Sequence, residues 1–273
     1  MSKATVVAAL QLCATPNMDD NLDTTEHLAQ RAREAGAEVI MLPEAFAFIG
    51  PDREKQQILE PLPEGGPILE RCQRLARDLA CPLILGGFHE QGPEPGRSYN
   101  TCVHLDALGE VVASYRKIHL FDVSLDDGTR LFESRGTAPG EHVVTTDLPF
   151  GKLGLTVCYD MRFPYLYQAL VNEGAVAITI PSAFTATTGK AHWHVLLRAR
   201  AIETQCHVIA PAQHGNHYGK RTSYGHSLIV DPWGEIVAEH AEGDGFALGL
   251  IDPERVRSVR KQLPSLEHRT TIA

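Results

Sequence analysis

No stretch of this sequence approaches eighteen consecutive apolar residues, so no segment reads as a membrane-spanning helix. There is also no run of five like charges. The formal net charge is -9, and the basic footprint that nucleic acid or an anionic membrane surface requires is absent. The six cysteines stand at 13, 72, 81, 102, 158 and 206 without a Cys-x-x-Cys pair. That spacing excludes a disulfide framework and a thiolate zinc site, and it suits a reducing, cytoplasmic setting. The opening MSKATVVAAL lacks the length and cleavage pattern of a signal peptide and reads as a first core strand. Gly65-Gly66 and Gly86-Gly87 lack the Walker pattern of a phosphate loop. Thirteen histidines invite a metal, but His192 and His194 are two apart on a helix and point to different faces. His214-Gly-Asn-His217 reads as a solvated Gly/Asn loop, so no metal site is expected.

What is present is ordinary globular usage: 43% apolar and 22% charged over 273 residues, enough for a substantial core. Strand-like and helix-like segments alternate. Thr5–Leu12 is a buried strand, Asn21–Ala35 an amphipathic helix stopped by Gly36, and Val39–Leu42 a strand closed by Pro43. Pro67–Ala80 is a helix with proline in its first turn. Leu83–Phe88 is a strand, and Tyr99–Leu105 and Val111–Arg116 form a hairpin. The second half repeats the layout. It has strands at Leu153–Val157, Val176–Ile180 and His207–Pro211, and helices at Phe163–Glu173 and His192–Thr204. A second hairpin, Ser227–Val230 with Glu235–Glu239, then Phe246–Ile251 and a short helix from Pro253, finish the chain. Repeated strand–helix–strand units imply a largely parallel α/β sheet, here a two-sheet sandwich with helices outside. Thr145–Lys152 is too short and apolar for a linker, so residues 1–273 read as one domain.

Three polar residues fall at strand ends, where ligands of α/β sheets bind. Cys158, in LGLTVCYDMRFP, sits at a strand-to-helix turn that would expose a nucleophile. A free thiol titrates near 8.5, so it needs a neighbouring base or cation. Lys117, in YRKIHLF, could supply the cation. Glu44, in MLPEAFAF, is a carboxylate between apolar runs, which suits a general base with a raised pKa. Arg162, four residues beyond the thiol, could meet a substrate carboxylate. Phe184, ahead of the polar loop Thr185–Gly189, is a candidate pocket wall, and Thr187 within that loop a candidate contact.

MLPEAF, YRKIHLFD and CYDMRFP resemble, in order, the catalytic blocks of the nitrilase superfamily of carbon–nitrogen hydrolases, and the likeness runs from about Thr5 to Arg269. The resemblance implies a four-layer α-β-β-α sandwich, a Glu44–Lys117–Cys158 triad and a homodimer or larger assembly. It also implies that Glu133, in RLFESRG, positions lysine and substrate, and that the Tyr159 backbone N–H helps hold an oxyanion. No cofactor is implied. FTATTGKAHWHVLLRAR is most similar to a branch acting on small α-keto acid amides. Other amides, N-carbamoyl amino acids and nitriles remain open as substrates, as does a binding module without catalysis. Tyr165 departs from the pattern, standing where the family usually has glutamate.

Overall fold

The computed structural model describes residues 2–124 and 130–270. Its first half runs β1 (Thr5–Leu12), α1 (Met18–Glu34), β2 (Val39–Met41), the single turn α2 (Asp52–Lys55), α3 (Pro67–Leu79), β3 (Leu83–Gln91), β4 (Ser98–Leu105) and β5 (Val111–Arg116). Two short strands, β6 (Asp122–Ser124) and β7 (Arg130–Phe132), pair with each other. There follow β8 (Thr145–Leu148), β9 (Gly151–Leu155), α4 (Pro164–Asn172), β10 (Ala177–Thr179), α5 (Ala186–Thr204) and β11 (His207–Ala210). The chain then adds β12 (Ala212–Tyr218), β13 (Arg221–Tyr224), β14 (Ser227–Val230), β15 (Ile236–His240), β16 (Gly245–Ile251) and α6 (Pro253–Gln262).

Two sheets result. The first has the order β13-β12-β1-β2-β3-β4-β5 with β16 also paired to β1; the second has the order β15-β14-β11-β10-β9-β8. The β1/β2/β3 and β9/β10/β11 pairings are parallel, as the strand–helix–strand repeat predicts. Strand alternation sends β1 side chains to two different cores. Val7 and Ala9 join Val39, Met41 and Ile84 against Leu155, Ile178 and Val208 of the second sheet. Ala8, Leu10 and Leu12 face the other way, onto Leu22, Leu28, Ile68 and Leu75 of α1 and α3. Leu166, Leu170, Trp193 and Leu197 of α4 and α5 cover the second sheet. The layers are therefore α-β-β-α. Among the described residues no helix is long and apolar enough to cross a membrane.

Two segments differ from their expected form. Helix α5 begins at Ala186, not His192, so Thr185–Gly189 is the cap and first turn of a helix. Gly189 looks like a breaker but meets a packing demand: a Cβ there would lie 2.3 Å from the Tyr224 Cβ. His214–His217 is likewise no solvated loop but part of β12, paired with β13. His217 is buried, with its Nδ1 2.7 Å from the Ala14 carbonyl and its Nε2 2.7 Å from the Ser223 hydroxyl. Backbone pairing with a partner strand, which local composition does not encode, overrides the Gly/Asn signal.

Candidate active site

Each of the three strand-end residues is held by local backbone geometry. Glu44 follows β2, and its carbonyl accepts from the Gln213 side chain at 3.0 Å. Gly87 passes directly behind it at φ +63. A Cβ there would come within 2.8 Å of both the Glu44 Cγ and the Asn100 Oδ1, so only glycine fits. Lys117 comes immediately after β5, its N–H donating to the Asn100 carbonyl at 2.8 Å. Cys158 lies past β9 at φ +48, a left-handed conformation costly for a side-chain-bearing residue. Its N–H donates to the Pro181 carbonyl at 2.9 Å, which fixes the elbow against the second sheet.

The side chains converge on one cavity of about 170 Å³. Lys117 Nζ lies 3.1 Å from Glu44 Oε1 and 2.8 Å from Glu133 Oε2, so one buried ammonium bridges two carboxylates. Asn100 Nδ2 donates to both, at 2.9 Å to Glu44 and 3.0 Å to Glu133. The second Glu44 oxygen accepts from the Ala183 N–H at 2.7 Å, and Cys158 lines the same cavity. Glu133 Oε2 accepts from the Phe121 N–H at 2.7 Å.

Burial alone would push the Glu44 carboxyl up. The Lys117 charge, the Cys158 thiol and the Ala183 and Asn100 donors more than offset it and hold the group below the ordinary carboxylate value. The expectation of a raised base is thus overturned: its donors keep Glu44 ionised. For Cys158, burial and the adjacent Glu44 charge push the thiol well up despite Lys117. Burial would lower Lys117, but Glu133 and Glu44 raise it well above the ordinary lysine value. The resting site therefore holds a carboxylate, an ammonium and a protonated thiol. The carboxylate can take the thiol proton when an electrophile arrives.

The elbow itself hangs on Asp160, fully buried, whose importance no local pattern announces. Its Oδ2 accepts from the Val157 N–H at 2.9 Å and the Tyr115 hydroxyl at 2.8 Å. Its Oδ1 accepts from the His119 N–H at 3.0 Å and lies 2.7 Å from the His119 Nδ1. Tyr115 belongs to β5, so Asp160 ties the nucleophile turn of one sheet to the strand that carries Lys117 on the other. Asp160→Asn turns one acceptor oxygen into an NH₂ facing a donor. It is expected to lower unfolding free energy by about 1.5–3 kcal/mol, read by urea denaturation, and to lower kcat with it. A change under about 0.5 kcal/mol would remove Asp160 from this role.

Tyr159 borders a recess of about 10 Å³ beside Cys158, together with Phe121, Ala183, Phe184, Thr185 and Thr188. Phe184 is thus a wall of the site. Thr187 is not: it is exposed and lies outside both cavity linings, whereas Thr185 and Thr188, three apart, share the inward face. The Arg162 guanidinium stands 5.2 Å from the Phe184 ring centre and 5.9 Å from that of Tyr159, with His192 Nδ1 at 3.4 Å. Among the described residues no carboxylate is at salt-bridge distance from it, and Asp160 is fully engaged elsewhere. Tyr165 is exposed, and its hydroxyl bonds the His119 Nε2, extending the Asp160–His119 chain to the surface. Among the described residues one trio, His194, His226 and Glu239, has the spacing of a metal site. Glu239 Oε1 lies 2.9 Å from His194 and 2.6 Å from His226. Asn100, Asp160, Lys55, His89 and Arg221 belong to the site region and were not singled out by sequence. Asp160 lies inside the CYDMRFP block, while the other four are polar residues in segments with no motif of their own.

A profile of the family described as carbon-nitrogen hydrolase matches residues 6–261. Over 271 residues the chain is 49% identical to deaminated glutathione amidase of Homo sapiens, covering 97% of this chain and 82% of that one. It is 44% identical over 275 residues to deaminated glutathione amidase of Synechocystis sp., covering 99% and 100%. The crystal structure of the Caenorhabditis elegans NitFhit protein superposes with a TM-score of 0.90 at 37% identity. It covers 98% of this chain, which spans 65% of that longer protein.

Proposed function

The chain belongs to the carbon–nitrogen hydrolase family, within the nitrilase superfamily, and from that premise we propose that it cleaves deaminated glutathione through a Cys158 thioester. The observation that supports this most is the convergence of Cys158, Glu44 and Lys117 on one cavity, with Lys117 Nζ 3.1 Å from Glu44 Oε1. Glu44 takes the thiol proton as sulfur bonds the amide carbon. The oxyanion rests on Lys117 Nζ and the Tyr159 N–H, both fixed before reaction. The C–N bond then breaks, and Glu44 passes its proton to the departing amine. Water attacks the thioester, gives a proton to Glu44, and the C–S bond breaks. Glu44 returns that proton to sulfur, releasing an acid. Glu133 and Asn100 keep Lys117 and Glu44 aligned throughout. Arg162 serves the acyl carboxylate, Phe184 walls the acyl group, and no cofactor takes part. Residues 1–273 act as one hydrolase domain in a homodimer or larger assembly, in a reducing, cytoplasmic setting.

Deaminated glutathione and α-ketoglutaramate share an acyl half, so they differ only in the leaving amine. Cysteinylglycine adds buried surface and a carboxylate, each contact contributing about 1–3 kcal/mol. kcat/KM for deaminated glutathione is expected to exceed that for α-ketoglutaramate by roughly 5- to 150-fold. A higher value for α-ketoglutaramate would overturn the substrate assignment and leave the amidase chemistry standing.

A further inference from the structure

The main cavity carries more positive charge than its chemistry uses. Two of the three Lys117 donors go to Glu44 and Glu133, and the third serves the oxyanion. The same cavity is also lined by Lys55, at the end of α2, and Arg221, at the start of β13. Among the described residues neither has a carboxylate at salt-bridge distance. Asp52, also in the lining, is exposed and attracts Lys55 only from a distance. Burial, with smaller repulsion from Arg221 and Lys117, holds Lys55 below its ordinary lysine value against the attraction of Asp52 and Glu133. His89 lines the same cavity. Its ring nitrogen is 2.9 Å from the Phe48 carbonyl, and burial together with Lys55 lowers it to about 4, so it stays neutral. Two cations thus line this cavity with no carboxylate at salt-bridge distance, Asp52 and Glu133 attracting Lys55 only from further off, and both have donors to offer an entering anion.

We infer that Lys55 and Arg221 form a carboxylate-binding subsite for the leaving amine, which makes the enzyme selective for amides whose amine half ends in a free carboxylate. The inference rests on the substrate reading above only for the identity of that amine. Both cations stand at ends of secondary structure. Arg221 is set by the β12–β13 hairpin, where it pairs with Tyr218, while the buried Ser223 is locked to His217. An extended dipeptide leaving group carries its carboxylate about 7 Å beyond the scissile nitrogen. That reach lets the carboxylate meet cavity-lining cations other than Lys117, and Lys55 and Arg221 are the two the lining offers. A planar guanidinium next to an ammonium suits the two oxygens of a carboxylate.

The test compares deaminated glutathione with its glycinamide form, which replaces only the terminal carboxylate. The wild-type enzyme is expected to favour the carboxylate in kcat/KM by about 10- to 100-fold, the range of a hydrogen bond to a charged group. Lys55→Met and Arg221→Gln should each shrink that ratio at least about fivefold, with the loss in KM rather than kcat, and Lys55→Arg should restore most of it. A parallel calorimetric titration of the resting enzyme uses alanylglycine against alanylglycinamide, and the same preference is expected in Kd. Equal wild-type values for the two forms, or variants that lose both forms alike, would overturn the subsite. Failure of the wild type to cleave either deaminated glutathione form would instead overturn the substrate reading. In that case the dipeptide titration still decides the subsite.

Discussion

Cys158→Ala is expected to hold amide turnover below about a thousandth of wild type, because losing the nucleophile removes the whole acyl-enzyme route. The fold should barely register the change. Alanine keeps the Cβ, so the φ +48 elbow is no more strained than before, and the Asp160 and Pro181 bonds that hold it are to backbone atoms. The loss should stay below about 1 kcal/mol, or roughly 2–4 °C in Tm for a chain this long. Calorimetry and steady-state kinetics on one preparation separate the two effects. Rapid quenching of wild type, followed by mass spectrometry of the Cys158 peptide, should capture the thioester. Turnover above a thousandth in the variant, with no adduct in the wild type, would end the covalent mechanism.

Glu44→Gln is expected to lower kcat by about a hundred- to ten-thousandfold, since one group serves both acylation and deacylation. Here some stability is also lost. One Glu44 oxygen faces Lys117 and Asn100 and the other faces the Ala183 N–H, so an amide must turn its NH₂ toward a donor in either orientation. About 1–3 kcal/mol is the expected cost, limited because Lys117 keeps Glu133 at 2.8 Å. The pH profile distinguishes a base from a merely structural residue. Glu44 is depressed in the folded protein, so its contribution to stability and activity is present above its ordinary value of 4.5. It is lost as pH falls through a folded value below that. Cys158 and Lys117 are both raised, so they must keep their protons and the alkaline limb lies above 9.0. Wild-type kcat/KM should be flat between these limits, and the acid limb should vanish in Glu44→Gln. If the variant kept most of its kcat, Glu44 would not be the proton acceptor.

Much of this arrangement was legible because it rests on local pattern. The mostly apolar run Thr5–Leu12 and the apolar face of Pro67–Ala80 report burial directly. Glu44, Lys117 and Cys158 each fall just past the end of a strand. What stayed hidden depends on partners distant in sequence. Asn100 sits in an ordinary hairpin strand, and only the approach of Glu44 and Glu133, 56 and 33 residues away, gives its amide a task. Asp160 gains its task only from Tyr115 and His119, 45 and 41 residues away, which enclose it. Thr187 was mistaken for a contact because a loop has no fixed face. Once α5 starts at Ala186, helical periodicity selects Thr185 and Thr188 instead. The sign of the Glu44 shift was also beyond sequence, since burial and donors oppose each other and only the count of donors decides.

Glu44 and Lys117 ride on one sheet and Cys158 on the other, so the reacting atoms meet across a seam sealed mainly by side chains. Sliding one sheet along the other by a single residue, about 3.3 Å, would keep the pairing within each sheet, break only the few backbone bridges at Ser182 and Thr185, and still part base from thiol. The enzyme is in that sense a vernier, with catalysis reading the alignment of two plates more finely than any measure of helix or strand content. Mild heat or denaturant that loosens the seam should silence it while its circular dichroism still looks native.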